Sequence, residues 1–318
     1  MKPLTEKAPI AVIGELNVDV VATGLPKPPE LGSEIIAEDL QITLGSASAI
    51  FASGAAKLGH QITFISKVGA DDFGSFCLQS LKDYGISVDN VAQDRSTKTG
   101  VTLALSTRRD RALVTYLGAI SALGYDEIRM SDLRANRHLH MTSYFLQTNL
   151  KSSFPRIFRE AREMGLTTSF DPNSDPDQSW NNEILEVLKE TDILFLNQTE
   201  ALQFTRTEDL NIALEELAHK VPCAVIKLGA EGAVAVNRGE ITKSEGFKID
   251  AVDTTGAGDS FAAGFVSAFL QNKSMEECLR QANACGALST LKAGGTASQP
   301  DEAALESFIN QRSLRADA

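Results

Sequence analysis

Alternation is the feature that most constrains this chain. Short apolar runs of strand character recur along it, separated by longer runs of helical period. Strands are predicted at 10–14, 62–68, 138–142, 167–170, 192–196 and 223–228. Helices are predicted at 46–58, 73–84, 152–164, 182–190, 208–219, 257–271, 275–291 and 302–312. With no internal repeat and no low-complexity linker, this pattern predicts an α/β layer fold around a mostly parallel sheet. Ligands of such sheets bind beyond the carboxyl ends of the strands. Two stretches break the rhythm. Residues 33–43 and 100–117 carry β signals without intervening helices, the second as a hairpin around Arg108-Arg109-Asp110-Arg111. Together they predict a small sheet projecting from the main body.

Composition narrows the function. The chain has 318 residues, 43% hydrophobic and 23% charged, as a folded water-soluble protein would. No run approaches the roughly 20 apolar residues that span a bilayer, and Met1–Lys7 lacks signal-peptide character, so no membrane and a cytoplasmic location are expected. A net charge of −12 without a long basic run argues against a nucleic-acid partner. An anionic ligand must then be held by local devices: helix ends, a few cations and a metal. Cys77, Cys223, Cys278 and Cys285 form no C-x-x-C pair and read as reduced, buried thiols.

The stretch Ala251-Val252-Asp253-Thr254-Thr255-Gly256-Ala257-Gly258-Asp259-Ser260-Phe261 carries the chemistry. Phe261, Phe265, Ala268 and Phe269 share one helical face, so the glycines fall at a helix N-terminus. Amides there lack intrahelical partners, and the dipole favours an anion. Gly256, Ala257 and Gly258 predict an anion hole, and Asp259 beside it is placed to take a proton from a hydroxyl attacking phosphorus. The bland alternative is a capped, Gly-rich turn. The full string resembles the C-terminal signature of the ribokinase-like (PfkB) carbohydrate kinase family, in which the last Asp is the catalytic base. The resemblance runs from Gly14 to Pro300. It implies a single ribokinase-like domain over 1–318, three-layered with a mostly parallel sheet. It also implies a small β lid from about 33–43 and 100–117 that often dimerises, and the cofactors ATP and Mg²⁺ with K⁺ in some members.

Other segments fit the same family in order. Gly14-Glu15-Leu16-Asn17-Val18-Asp19 resembles the first-strand motif, which makes Asp19 and Asn17 sugar ligands. Leu44-Gly45-Ser46-Ala47-Ser48-Ala49-Ile50 resembles the N-terminal signature, with Ser46 for its second Gly and Ile50 for its Asn. Gly45 and Ser46 remain substrate candidates, but direct transfer to ribose is discounted. Val68–Gly74 matches a strand-to-helix turn, with Asp72 as expected N-cap. His138 and His140 share a strand face and read as sheet packing. Ser143 and Tyr144 stand where ribose-type relatives carry an acidic ligand, and Tyr144 is taken as substrate-binding. Phe170–Pro176 resembles the Asp-Pro-Asn segment, with Asn173 near the transferring phosphate and Asp175 set to repel an acidic substrate. For Asp171, a simple turn is an equal reading. Asn197-x-x-Glu200 resembles the family's Mg²⁺ motif, acting through water. The resemblance makes Lys227, Gly229 and Asn283 nucleotide contacts and Asp253 a K⁺ ligand. The arginine cluster reads as a solvated turn.

The sequence thus predicts an ATP- and Mg²⁺-dependent kinase acting on a small sugar. Two alternatives are a nucleoside kinase on the same fold and a non-catalytic sugar- or nucleotide-binding regulator.

Overall fold

Strands β1 (Ile10–Ile13), β2 (Asn17–Leu25) and β3 (Asp39–Leu44) open the chain and lead into helix α1 (Ala47–Lys57). These come from a computed structural model that describes residues 7–107, 111–177, 180 and 182–316, with backbone only for Arg111 and 312–316. There follow β4 (Ile62–Gly69), α2 (Asp72–Asp83), β5 (Val91–Asp94), β6 (Gly100–Thr107), β7 (Arg111–Tyr116) and β8 (His138–Thr142). Next are α3 (Phe154–Glu163), β9 (Thr167–Asp171), α4 (Glu183–Leu188), β10 (Ile193–Asn197), α5 (Gln198–Thr205) and α6 (Leu210–Ala218). The chain ends with β11 (Cys223–Lys227), β12 (Gly232–Asn237), β13 (Glu240–Glu245), α7 (Ala257–Leu270), α8 (Met275–Ser289) and α9 (Glu302–Ala316).

Nine strands make the main sheet, in the order β13-β12-β11-β10-β9-β8-β1-β4-β5. All run parallel from β5 to β11, and only the β11–β12 and β12–β13 pairings are antiparallel. Strand alternation sorts the core into two. Ile10, Val12, Phe64 and Phe195 face one layer, where α1, α7 and α8 supply Phe51, Phe265 and Leu279. Ala11, Ile13, Leu139 and Phe170 face the other, with Ile157 and Phe158 of α3 and Leu214 of α6. The result is helix, sheet, helix. After β1 the chain pairs β4 on one side and β8 on the other. Ligands of such sheets bind beyond the carboxyl ends of the strands, on the side of this switch point.

The smaller sheet is four-stranded, in the order β3-β2-β6-β7. It is mixed, because β2 and β6 run parallel. It differs from the sequence expectation in two ways. Residues 33–38 lie outside any strand, and β2 continues the polar Asn17–Asp19 segment into a full strand of this lid. Of the turn predicted at Arg108-Arg109-Asp110-Arg111, residues 108–110 lie outside the described residues, while β6 and β7 pair as predicted. Asp71, not Asp72, caps α2. Its Oδ1 accepts from Gly74 N at 2.8 Å and from Thr99 Oγ1 at 2.7 Å, and the second contact decides between the neighbours. Among the described residues no helix is long and apolar enough to cross a membrane.

Candidate active site

The parallel strands deliver polar side chains at their carboxyl ends, and these meet in one cleft. Lys227, at the end of β11, donates to Asp171 Oδ2 at 2.6 Å. Asp171, at the end of β9, is 1% exposed, so the pair is largely out of water. Burial pulls the Lys227 pKa down, but Asp171 and Glu200 outweigh it and hold the ammonium above the usual lysine value. A Cβ built on Gly258 would lie 3.2 Å from Lys227 Nζ, so the ammonium sits against the first turn of α7.

That turn begins at Gly256, whose φ of 70° lies in the left-handed region. A Cβ there would also come within 2.8 Å of Gly295 Cα and 2.9 Å of Ile50 Cγ2. Three chain segments converge on the point, and only glycine fits. Ile50 is therefore packing behind the turn, 3% exposed, and presents nothing to a sugar. The Ala257 amide donates to the Thr254 carbonyl at 3.2 Å. Gly258 and Asp259 are early helix residues whose amides have no intrahelical acceptor, the arrangement that suits an anion. Of the three residues predicted for the hole, Ala257 has its amide engaged within the turn.

Asp259 is half-buried beside it. Its carboxyl is pushed up to about 7, first by burial and then by Asp171, Glu15 and Glu200, with Lys227 opposing. One side opens to the cleft while the packed protein behind it makes desolvation lead. Glu200 is also raised, mainly by burial. It forms a capping box with Asn197: Asn197 Oδ1 accepts from Glu200 N and Glu200 Oε2 from Asn197 N, both at 2.8 Å. Its other oxygen accepts from Ser174 Oγ at 3.0 Å. The motif thus brings charge to the cleft with its oxygens already hydrogen-bonded. Among the described residues, no group of three or more His, Cys, Asp or Glu is placed to hold a metal ion.

Next to this centre, Lys227, Gly229, Gly258, Phe261, Asn283 and Ala287 help line a cavity of about 420 Å³. Asn283 donates to the Ser244 and Glu245 carbonyls at 3.2 and 3.1 Å, which fixes the edge strand against α8. Behind it, Asp253 Oδ1 accepts from Thr255 N and Oδ2 from Gly294 N, both at 2.9 Å, joining two loops.

On the lid side, Asn17, Asp19 and Gly45 come together. Asn17 Nδ2 donates to Asp19 Oδ1 at 3.1 Å, and a Cβ on Gly45 would lie 2.7 Å from Asn17 Nδ2. Ser46 is turned away. Its φ is 77°, and its hydroxyl donates to the Glu15 carbonyl at 2.5 Å while capping α1. Tyr144 is a correction. It is 1% exposed and packs edge-on against Phe145, Phe154 and Phe170 in the core on the other face of the sheet. One residue earlier, Ser143 faces the cleft network instead, bonded to Asn173 Nδ2 at 2.9 Å. Asp175 is also otherwise engaged: it accepts from the Asp177 and Trp180 amides at 3.0 and 2.8 Å. His138 and His140 share the hydroxyl of Ser169, and His140 stacks on Phe51 at 3.6 Å. Burial pushes both histidines down, His138 to about 3, so they pack as neutral rings.

Sequence reasoning missed Glu15 and left Asp171 undecided. Asp171 closes a parallel strand and Glu15 follows one by two residues, and that position was the available signal.

A buried lysine, a helix N-terminus and a carboxylate of raised pKa, at the carboxyl edge of a parallel sheet, suit phosphoryl transfer. The comparisons agree. The family described as pfkB family carbohydrate kinase matches residues 7–302, and the chain belongs to it: it is a sugar kinase, a phosphotransferase with a hydroxyl acceptor. It is 30% identical over 300 residues to an ATP-dependent ribose-1-phosphate kinase of Halopiger xanaduensis, covering 94% of this chain and 97% of that one. It is 32% identical to the 2-dehydro-3-deoxygluconokinase of Bacillus subtilis, over 84% of this chain and 86% of that one. Among solved structures, Arabidopsis thaliana ribokinase complexed with ribose and ATP superposes with a TM-score of 0.82 at 25% identity, covering 95% and 99%.

Proposed function

We propose that Asp259 is the base that takes the proton from a hydroxyl of a small sugar as it attacks the γ-phosphoryl group of ATP. The observation that carries this is the carboxyl of Asp259, held near 7 beside the α7 amides and the Lys227 ammonium. In this reading Lys227 and the Gly258 and Asp259 amides neutralise the phosphoryl oxygens, and the cavity above Asn283 takes the base of the nucleotide. Asn17, Asp19 and Gly45 hold the sugar hydroxyls, and Asn173 stands between sugar and phosphate. Three carboxylates, Asp171, Glu200 and Asp259, act on Lys227, and Glu15 adds to the negative field at Asp259. That excess of negative charge fits Mg²⁺ carried in on the nucleotide phosphates, with waters between it and Asn197 and Glu200. When bound, Mg²⁺ would offset phosphate charge. The bridged loops at Asp253 and Gly294 are where K⁺ would sit, a role that stimulation of turnover by K⁺ would support.

The pH profile tests the base directly. Asp259 must be ionised, so kcat/KM should fall roughly tenfold per pH unit below about 7 in the free enzyme. A profile flat from acid to neutral pH would remove Asp259 from the role. The acceptor is found by following ADP release across pentoses, hexoses, acid sugars and nucleosides. Turnover of nucleosides alone would favour the nucleoside-kinase reading. The four buried free cysteines support a reducing, cytoplasmic setting.

The lid supports a homodimer. Strand register puts Ile42, Val20, Leu103 and Val114 in one row, with Leu40 and Tyr116 on the same face. Leu40, Val114 and Tyr116 are 61%, 55% and 55% exposed. An exposed apolar row of this kind wants a partner. Light scattering should give a dimer, and Leu103→Glu should give a monomer. A monomeric wild-type protein would end this proposal.

A further inference from the structure

Glu15 is given no contact with sugar or phosphate in that reading, yet it follows β1, the strand flanked by β4 and β8, where the chain leaves the main sheet for β2. It is 4% exposed. Its partners among the described residues are all neutral donors. Ser48 Oγ donates to Oε2 at 2.8 Å, Ser143 Oγ to Oε1 at 2.9 Å, and Ser48 N to Oε1 at 3.2 Å. Thr142 Oγ1 adds a contact to Oε2 at 3.2 Å. A buried carboxylate without a cation is costly unless fully hydrogen-bonded, and this one is.

The network has a direction. On one side it holds two of the crossings between lid and body: Glu15 itself joins β1 to β2, and Ser46 and Ser48 lie where β3 passes into α1. On the other side Ser143 Oγ accepts from Asn173 Nδ2 at 2.9 Å, Asn173 N donates to Asp171 Oδ1 at 3.3 Å, and Asp171 holds Lys227 at 2.6 Å. Ser143 and Asn173 both sit at positive φ, 53° and 55°, a conformation that surrounding contacts must hold.

We propose that Glu15 is a positioning residue, a latch that sets the lid crossings in register with the Asp171–Lys227 pair through Ser143 and Asn173. It rests on the sugar-kinase reading. Lid placement then follows the geometry of the phosphate end, and the acceptor hydroxyl is presented at the right distance only when the latch is whole.

The test is Glu15→Gln, which keeps size but turns an NH₂ toward groups that already donate. The sugar KM, measured with whichever of D-ribose, D-fructose and 2-dehydro-3-deoxygluconate wild type uses best, should rise roughly tenfold or more. The ATP KM should stay within about twofold, a split that general destabilisation does not give. ADP release should exceed sugar phosphate formed, and amides of 39–46 should exchange faster with solvent than in wild type. Unchanged sugar KM and unchanged exchange would overturn the proposal, as would equal changes in both KM values. If Glu15→Gln fails to fold, Ser143→Ala decides. It cuts the relay but leaves the Ser46 and Ser48 contacts, and a silent Ser143→Ala overturns the latch. If wild type uses no sugar, the kinase reading fails, while the exchange of 39–46 still decides the latch.

Discussion

Asp259→Asn should lower turnover by roughly 10²–10⁴-fold, the usual contribution of a general base, while the nucleotide still binds. The same change should make the protein more stable at pH 8. The sign follows from the shift. Asp259 is raised from 3.8 to about 7 in the folded state, so between those values the folded chain keeps a proton that the unfolded chain has released. Stability therefore falls as pH climbs through that window, and the cost of ionising Asp259 is fully present above about 7. Asparagine removes it. Thermal melts should show the variant above wild type at pH 8 and the two converging toward pH 4. Coincident melts at pH 8 would mean that the carboxylate cluster around Asp259 is far better screened than its burial implies.

Lys227→Met should have the largest effect on folding. Methionine keeps length and apolar contact but leaves Asp171, 1% exposed, facing no cation. Removing one partner of a buried ion pair costs about 3–5 kcal/mol. Turnover should also fall by about 10²–10³-fold, as when one donor to a developing oxyanion is lost. Adding Asp171→Asn to Lys227→Met should restore much of the stability and none of the turnover. Denaturant midpoints at constant slope separate the two effects. A single variant as stable as wild type would show that water reaches the pair.

The large elements were legible because their signals are local. Phe261 and Phe265 mark α7 by spacing alone, and the glycines before them mark its start. The lid was only half legible. Strand β2 pairs with β6, some eighty residues away, and nothing within Asn17–Leu25 announces a partner at that distance. In the site, the choice between neighbouring residues depended on local backbone turns. Ser143 and Tyr144 follow the end of β8, where the chain turns at Ser143 (φ 53°), so the first faces the cleft network and the second, taken for a substrate ligand, the aromatic core. Asp71 and Asp72 pose the same problem, settled by Thr99 from a distant loop. The roles of Glu15 and Asp171 depend on side chains brought from other strands, which spacing along the chain does not reveal.

The packing of α1 has a consequence for how the chain is made. α1 lies against α7, and a Cβ on Gly54 would sit 3.2 Å from Ala263 Cβ. About two hundred residues separate these helices. At roughly 5–20 residues per second, the ribosome leaves the apolar side of α1 uncovered for about 10–40 s. During that interval the nascent chain exposes surface that only its own late segment can cover, so its yield in the cell should depend on chaperone supply more than its final stability would suggest.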